Sequence, residues 1–183
     1  HKTMKMRKLF VAFLALASFF ACQEAPKNNA PGDSQAEYAA ITALVIDFYN
    51  WYTYEVNSEA INYDYIDAKG EFLKLDMAKV AAYHAQMMKS CVLSQAYIDN
   101  DMAYLKKYEA IWAKNKKNDY NGLFSGEPND RILCGLDSNP YNIVSKLKID
   151  LIGTNKAKTT RGNSKLELVK ENGKWLISKI YCF

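Results

Sequence analysis

Most of the signatures that announce a chemistry are missing from this chain. No Gly-rich phosphate loop, no H-E-x-x-H, no G-x-S-x-G and no complete calcium loop occurs in its 183 residues. Asp99-Asn100-Asp101 opens like a calcium loop but lacks the later Gly and the closing Glu, so it reads as a helix cap or solvated turn. Without a C-x-x-C, a thioredoxin-like redox role has no support. No apolar run approaches the roughly 20 residues that a bilayer crossing needs. Histidine is nearly absent: besides His1 there is only His84, so any imidazole chemistry in the folded part must use that residue. These gaps lead us to expect neither a metal site nor a cofactor.

What is present begins with a basic start and a short apolar run. Met4 or Met6 is the expected start; Lys5, Arg7 and Lys8 precede thirteen uncharged residues, Leu9 to Ala21. That length, with those flanks, describes a secretory signal peptide over residues 1–21. Phe19-Phe20-Ala21-Cys22 resembles the lipobox of bacterial lipoproteins, in which a cysteine behind a small residue is acylated and becomes the new N-terminus. The resemblance implies lipidation at Cys22 and a cell-envelope location, with the membrane as a partner through the acyl chains. Cleavage after Ala15-Leu16-Ala17 is the competing reading and would leave the protein secreted. Lipidation is preferred because Cys22 stands where the apolar run ends and a polar stretch begins.

Charge agrees with that division. Lysine and arginine total 24 against 20 acidic residues, and Lys2, Lys5, Arg7 and Lys8 all precede the cleavage site; removing four leaves 20 against 20. The mature chain is therefore near neutral and offers no argument for nucleic acid. Lys114-Asn115-Lys116-Lys117 and Lys156-Ala157-Lys158 with Arg161 are read as solvated loops. Taking Cys22 as lipidated leaves Cys91, Cys134 and Cys182, an odd number. That means one disulfide with one thiol over, or three buried thiols, and the sequence does not choose the pair.

Residues 22–35, the lipidated cysteine and Gln23–Gln35 with two prolines and a glycine, read as a flexible tether. It would hold the domain roughly 20 Å from the membrane. Residues 36–183 then form a single domain. Tyr38, Ile41, Leu44, Val45, Phe48, Trp51 and Tyr52 recur at helical spacing and predict a first helix over 36–56, with Tyr49 and Tyr54 off its apolar face. A second helix is expected over 73–91, its face formed by Leu73, Met77, Val80, His84, Met87 and Cys91. A third is expected over 94–114 with Ile98, Asp101, Leu105, Tyr108 and Trp112. Residues 57–70 are a connection. After a long stretch, 115–141, the period changes to two: residues 143–151 alternate, and 165–171 and 174–182 flank Asn172-Gly173. That dipeptide is the strongest short hairpin signal and places Leu168 opposite Ile177 and Val169 opposite Leu176.

Helices followed by a meander argue for an α+β domain. The closing Val169-Lys170-Glu171-Asn172-Gly173-Lys174-Trp175-Leu176-Ile177-Ser178-Lys179-Ile180 resembles the terminal hairpin of nuclear-transport-factor-like (cystatin-like) cone domains. The resemblance implies three N-terminal helices packed on a curved antiparallel sheet of about three to four strands. Within that superfamily the chain is similar to small envelope lipoproteins of unknown function that carry an Asp/Cys-containing loop, here 129–137.

Candidate sites follow from residues that break the pattern. His84 stands on an apolar helix face, where a core histidine bonded to a backbone carbonyl or a tyrosine is the plain expectation. Asp101 points with Ile98 and Leu105 if its helix is continuous, and a carboxylate there is costly without a partner. It either caps a second helical piece after a break near Asn100, which is the favoured expectation, or meets His84, Arg131 or a tyrosine inside. Tyr49 and Tyr52, from an aromatic group dense enough to line a pocket, and Asp130, Arg131 and Asp137, from a stretch (115–141) of a length that is often functional in a compact domain, are the ligand-binding candidates. The resulting expectation is a non-enzymatic envelope lipoprotein that binds a small molecule or a protein partner, an inhibitor or immunity protein being one version. The alternative is a small cone-fold enzyme with His84 and Asp101 as its acid and base.

Overall fold

The computed structural model describes residues 34–58, 65–67, 69–114, 116, 132–134, 142 and 145–182. The proposed signal peptide, residues 22–33 of the tether with Cys22, and Asp130, Arg131 and Asp137 lie outside the described residues, whereas Ser34 and Gln35, expected in the tether, begin the first helix. In chain order the elements are α1 (Ser34–Asn57), β1 (Ile66–Asp67), β2 (Lys74–Leu75), α2 (Met77–Met88), α3 (Gln95–Trp112), β3 (Lys148–Ile152), β4 (Lys156–Arg161), β5 (Ser164–Glu171) and β6 (Lys174–Cys182). The class is α+β, with a four-stranded antiparallel meander ordered β3-β4-β5-β6 and a separate two-stranded hairpin of β1 and β2.

Two features differ from the expected layering. The β1–β2 hairpin interrupts the helices between α1 and α2. Of the helices, α3 and α1 lie against β6, whereas α2 is held by its neighbours. Tyr83 meets the Tyr65 ring at 5.5 Å, and the Gln86 amide donates to Glu55 of α1. Leu73 and Cys91 accordingly fall outside α2, and Met77, expected on its apolar face, is about half exposed. Asp76 starts α2 as its N-cap, accepting from the Ala78 and Lys79 amides.

On α1 the buried residues are Ile41, Leu44, Val45, Phe48, Tyr49 and Tyr52. The face is thus rotated from the expected one: Tyr49 is inside, Trp51 only half-buried, and Tyr38 and Tyr54 exposed. Each buried aliphatic or aromatic side chain on this face contributes about 1.5–3 kcal/mol relative to exposure.

The sheet's inner face is laid out by its register. Leu151, Ala157, Leu168 and Ile177 stand in one row across the four strands, and Ile149, Thr159, Leu166 and Ile180 in the next. The hairpin pairs Leu168 with Ile177 and Val169 with Leu176 as expected, and Asn172 and Gly173 take φ of 50° and 80°. A bulge between Glu167 and Leu168 breaks the β5–β6 register, a device that bends a strand and sharpens its twist. Between β3 and β5 lies the unexpected element: Lys156–Arg161, read as a loop, is an interior strand.

The segment between α2 and α3 seals the edge of β6. The Ile177 amide donates to the Val92 carbonyl at 2.8 Å, and the Ser94 amide donates to the Ile177 carbonyl at 3.0 Å. Ser94 occupies the N-cap of α3, yet its hydroxyl also donates to the Ile177 carbonyl rather than serving the helix. The start of α3 is thereby fixed to the sheet.

Candidate functional site

The site is built on one face of α3. Tyr97, Asp101, Tyr104 and Tyr108 recur at intervals of four, three and four, which gathers them along one stripe. The stripe looks across to the end of β6, Lys179 to Cys182, with Ile132 closing from the turn at 132–134. Together with Asn100 they line a cavity of about 390 Å³, within the range of small-molecule pockets. Four tyrosines, one carboxylate and one lysine give it a wall that is aromatic and polar at once. The Tyr104 and Tyr108 rings meet at 4.7 Å, and the Lys179 ammonium lies 4.5 Å from the centre of the Tyr181 ring.

Asp101 neither caps a helix nor marks a break: α3 runs unbroken from Gln95 to Trp112. Its carboxylate is buried and lies 2.8 Å from Nε2 of His84, also buried. Capping, the favoured expectation, is therefore corrected, and so is the backbone or tyrosine partner expected for His84. The pair joins α2 to α3 seventeen residues apart in sequence. Tyr83 packs beside the imidazole at 5.4 Å. The neighbouring Asn100 amide donates to the Ala96 and Ser178 carbonyls, binding the same turn of α3 to β6. The order of the groups matters chemically. Asp101 lines the cavity whereas His84 is not among the residues that do, so the imidazole stands behind the carboxylate and orients it.

Two sequence candidates stand elsewhere. Tyr49 and Tyr52 are buried in the core and do not line the cavity. The Tyr49 hydroxyl lies 3.4 Å from both the Ile132 carbonyl, to which it donates, and the Ser164 hydroxyl, which supports the turn at 132–134 from below. Tyr97, Tyr104, Lys179 and Tyr181 were not singled out from sequence. The i, i+4, i+7, i+11 run about Asp101 is the signal that finds the two on α3, and nothing comparable marks Lys179 and Tyr181 on β6.

Cysteines close the rim. Cys134 and Cys182 form a disulfide with Cα atoms 5.1 Å apart, fixing the turn to the last strand. Cys91 is disulfide-bonded too, so no thiol is left among the described residues, against the expectation of an unpaired one. The chain's one further cysteine is Cys22, and lipidation uses that same sulfur. An intramolecular Cys91 bond and a thioether at Cys22 therefore exclude each other. Among the described residues no cluster of metal-ligating side chains occurs. No family model matches the chain, and neither a curated protein nor a solved structure matches it.

Proposed function

We propose that this chain is an exported envelope protein that binds a small, hydroxylated ligand in the tyrosine-walled cavity, with Asp101 as the fixed hydrogen-bond acceptor. One observation carries the reading: a buried carboxylate, oriented by His84, lines a cavity that tyrosine rings share with it. Aromatic faces cover the apolar side of such a ligand, and a carboxylate accepts its hydroxyl protons. The Lys179 ammonium at the same cavity disfavours a cationic ligand by like-charge repulsion. A cone-like domain is part of the proposal, supported by the helix-first order and by the bulge in β5–β6. Export is supported by the Cys134–Cys182 bond, since disulfides persist in oxidising compartments.

Attachment through a lipidated Cys22 is the further part of the proposal. It requires Cys91 to bond outside its own chain, whereas an unacylated Cys22 is available to close it. The intact mass of the protein from its native membrane decides: acyl mass on the N-terminal peptide supports the anchor, and a Cys22–Cys91 peptide overturns it.

The enzyme reading keeps one observation in its favour, the hydrogen-bonded His84–Asp101 pair. Acid–base chemistry needs two protonatable groups within reach of the substrate. Here only the carboxylate of the pair faces the cavity, which is why binding is preferred. Native mass spectrometry of the mature chain after exposure to extract of its source cells tests both. A retained small molecule that is lost in Asp101→Asn supports binding at this site, and retention by that variant overturns it. Turnover of the retained compound, abolished by His84→Ala in protein that stays folded, moves the assignment to an enzyme.

A further inference from the structure

The outer face of the four-stranded sheet is a second surface, which meets the cavity only at Lys179 and Tyr181 near the end of β6. Its three rows follow from the register. Lys148, Thr160, Lys165 and Tyr181 form the first; Asp150, Lys158, Glu167 and Lys179 the second; Ile152, Lys156, Val169 and Leu176 the third. None of these twelve side chains is buried, while the inward partners Ala157, Thr159, Leu166, Leu168 and Ile177 are. Five lysines stand against two acidic residues, an excess of three positive charges on a face of a chain whose mature form is neutral.

Lysine composition alone is a solvated face, and the third row is what makes this one different. Ile152, Val169 and Leu176 lie side by side with Lys156 among them, and Ile152 is 44 % exposed. Sheets normally alternate to polar residues on their wet side. A basic face with an apolar row suits an interface where phosphates meet acyl chains: ammonium groups sit on the anions, and branched side chains enter the boundary.

The placement of the chain's N-terminal side selects among possible occupants. Glu37, in the first turn of α1, receives hydrogen bonds from Lys170 and Trp175, and these two residues are register partners at the turn end of the β5–β6 hairpin. The chain preceding α1 therefore joins the domain at the end of the sheet where the apolar row lies. A second copy of this chain is disfavoured as occupant, because two faces with the same excess charge repel.

We infer that this face docks on an anionic lipid surface, with the apolar row at the headgroup boundary and the lysines on lipid phosphates. The inference rests on the envelope reading; the charge excess and the apolar row carry it without acylation, and the placement of the N-terminal side adds to it where that side is anchored. It is tested with the mature chain carrying Cys22→Ser, so that no acyl group contributes to binding. The chain is sedimented with phosphatidylcholine vesicles and with vesicles containing a third phosphatidylglycerol, at low and at high salt. Affinity for the anionic vesicles is expected to be roughly 100-fold higher at low salt, from three excess charges, and to fall at high salt. Lys156→Glu/Lys158→Glu should remove most of that preference. Lys106→Glu/Lys114→Glu, the same charge change on α3 and the residues just after it, should keep more of it. Ile152→Asp should weaken binding at high salt, where the apolar contact is what remains. Equal affinity for both vesicle types, or equal loss in the two double variants, overturns the inference. Circular dichroism of each variant confirms that the fold is kept. Absence of acyl mass on native Cys22 would sink the anchor without touching this result.

Discussion

At the scale of single residues, the His84–Asp101 pair is the most consequential contact in the molecule. Both side chains are buried, so removing one takes from the other the hydrogen bond that joins α2 to α3. Breaking a buried pair in this way typically costs about 3–5 kcal/mol. His84→Ala is therefore expected to lower stability by about 3 kcal/mol, measured by urea unfolding. Asp101→Asn keeps a hydrogen-bonding side chain beside the imidazole and should cost less. Replacing both by leucine, which removes the polar groups together, should recover much of the loss. A double variant as unstable as the sum of the singles would show that the two side chains act independently. Glu37 gives a second expectation, in pH. The hydrogen bond from Lys170 holds its carboxyl below the ordinary 4.5, against an opposing effect of burial, with Trp175 and the Lys170 charge adding to the lowering. Folding thus weakens proton binding, so the stabilisation is present above the ordinary value and is lost as pH falls through the lowered one. Wild type should exceed Glu37→Gln in stability by about 1 kcal/mol at neutral pH, as a charged hydrogen bond allows. The two should converge in acid. A gap that is constant with pH would assign the effect to packing.

At the scale of elements, the β5–β6 hairpin is the best-specified part of the fold. Gly173 sits at φ +80° with open space around the position of a Cβ, so Gly173→Ala meets no clash and isolates the backbone cost. That cost is about 1–2 kcal/mol for an alanine in the left-handed region, read as a lower unfolding midpoint without a change in slope. No loss would mean that the turn relaxes to another geometry. The same local chemistry explains why the hairpin's register was legible in the sequence: Asn-Gly fixes the turn, and the turn fixes every pair beyond it. β4 was not legible because its inward residues, Ala157 and Thr159, are small and carry little apolar signal. Its lysines outweigh them, although the strand is interior to the sheet. Helix types and approximate limits were readable from period, but the faces were only partly so. Tyr49 is buried by a turn 83 residues away and a serine 115 residues away, and no local pattern announces such partners. The cavity was half-legible: Asp101 stood out as an anomaly and His84 was among its possible partners, while its tyrosine neighbours became a site only when α3 met β6.

At the scale of the whole molecule, the Cys134–Cys182 bond ties the rim of the cavity to the last strand and closes a sequence separation of 48 residues. A crosslink of that length removes chain entropy from the unfolded state worth about 4 kcal/mol in the loop-closure account. It also does local work in the folded state. Ile132, two residues before Cys134, accepts a hydrogen bond from the Tyr49 hydroxyl at its carbonyl and lines the cavity, so the crosslink holds one wall in place. Two consequences of different size follow for Cys134→Ser/Cys182→Ser. Global stability should fall by up to about 4 kcal/mol, a drop in Tm of roughly 10 °C for a domain of this size. At temperatures where the variant is still folded, the cavity should lose its ligand, because the turn is then held mainly by the core contacts around Ile132. Calorimetry gives the first quantity and native mass spectrometry the second. A Tm unchanged by the double substitution would mean that the bond does not form in the native protein, removing the main support for export. A lowered Tm with ligand retained would confine the bond to stability and leave α3 and β6 alone as the binding frame.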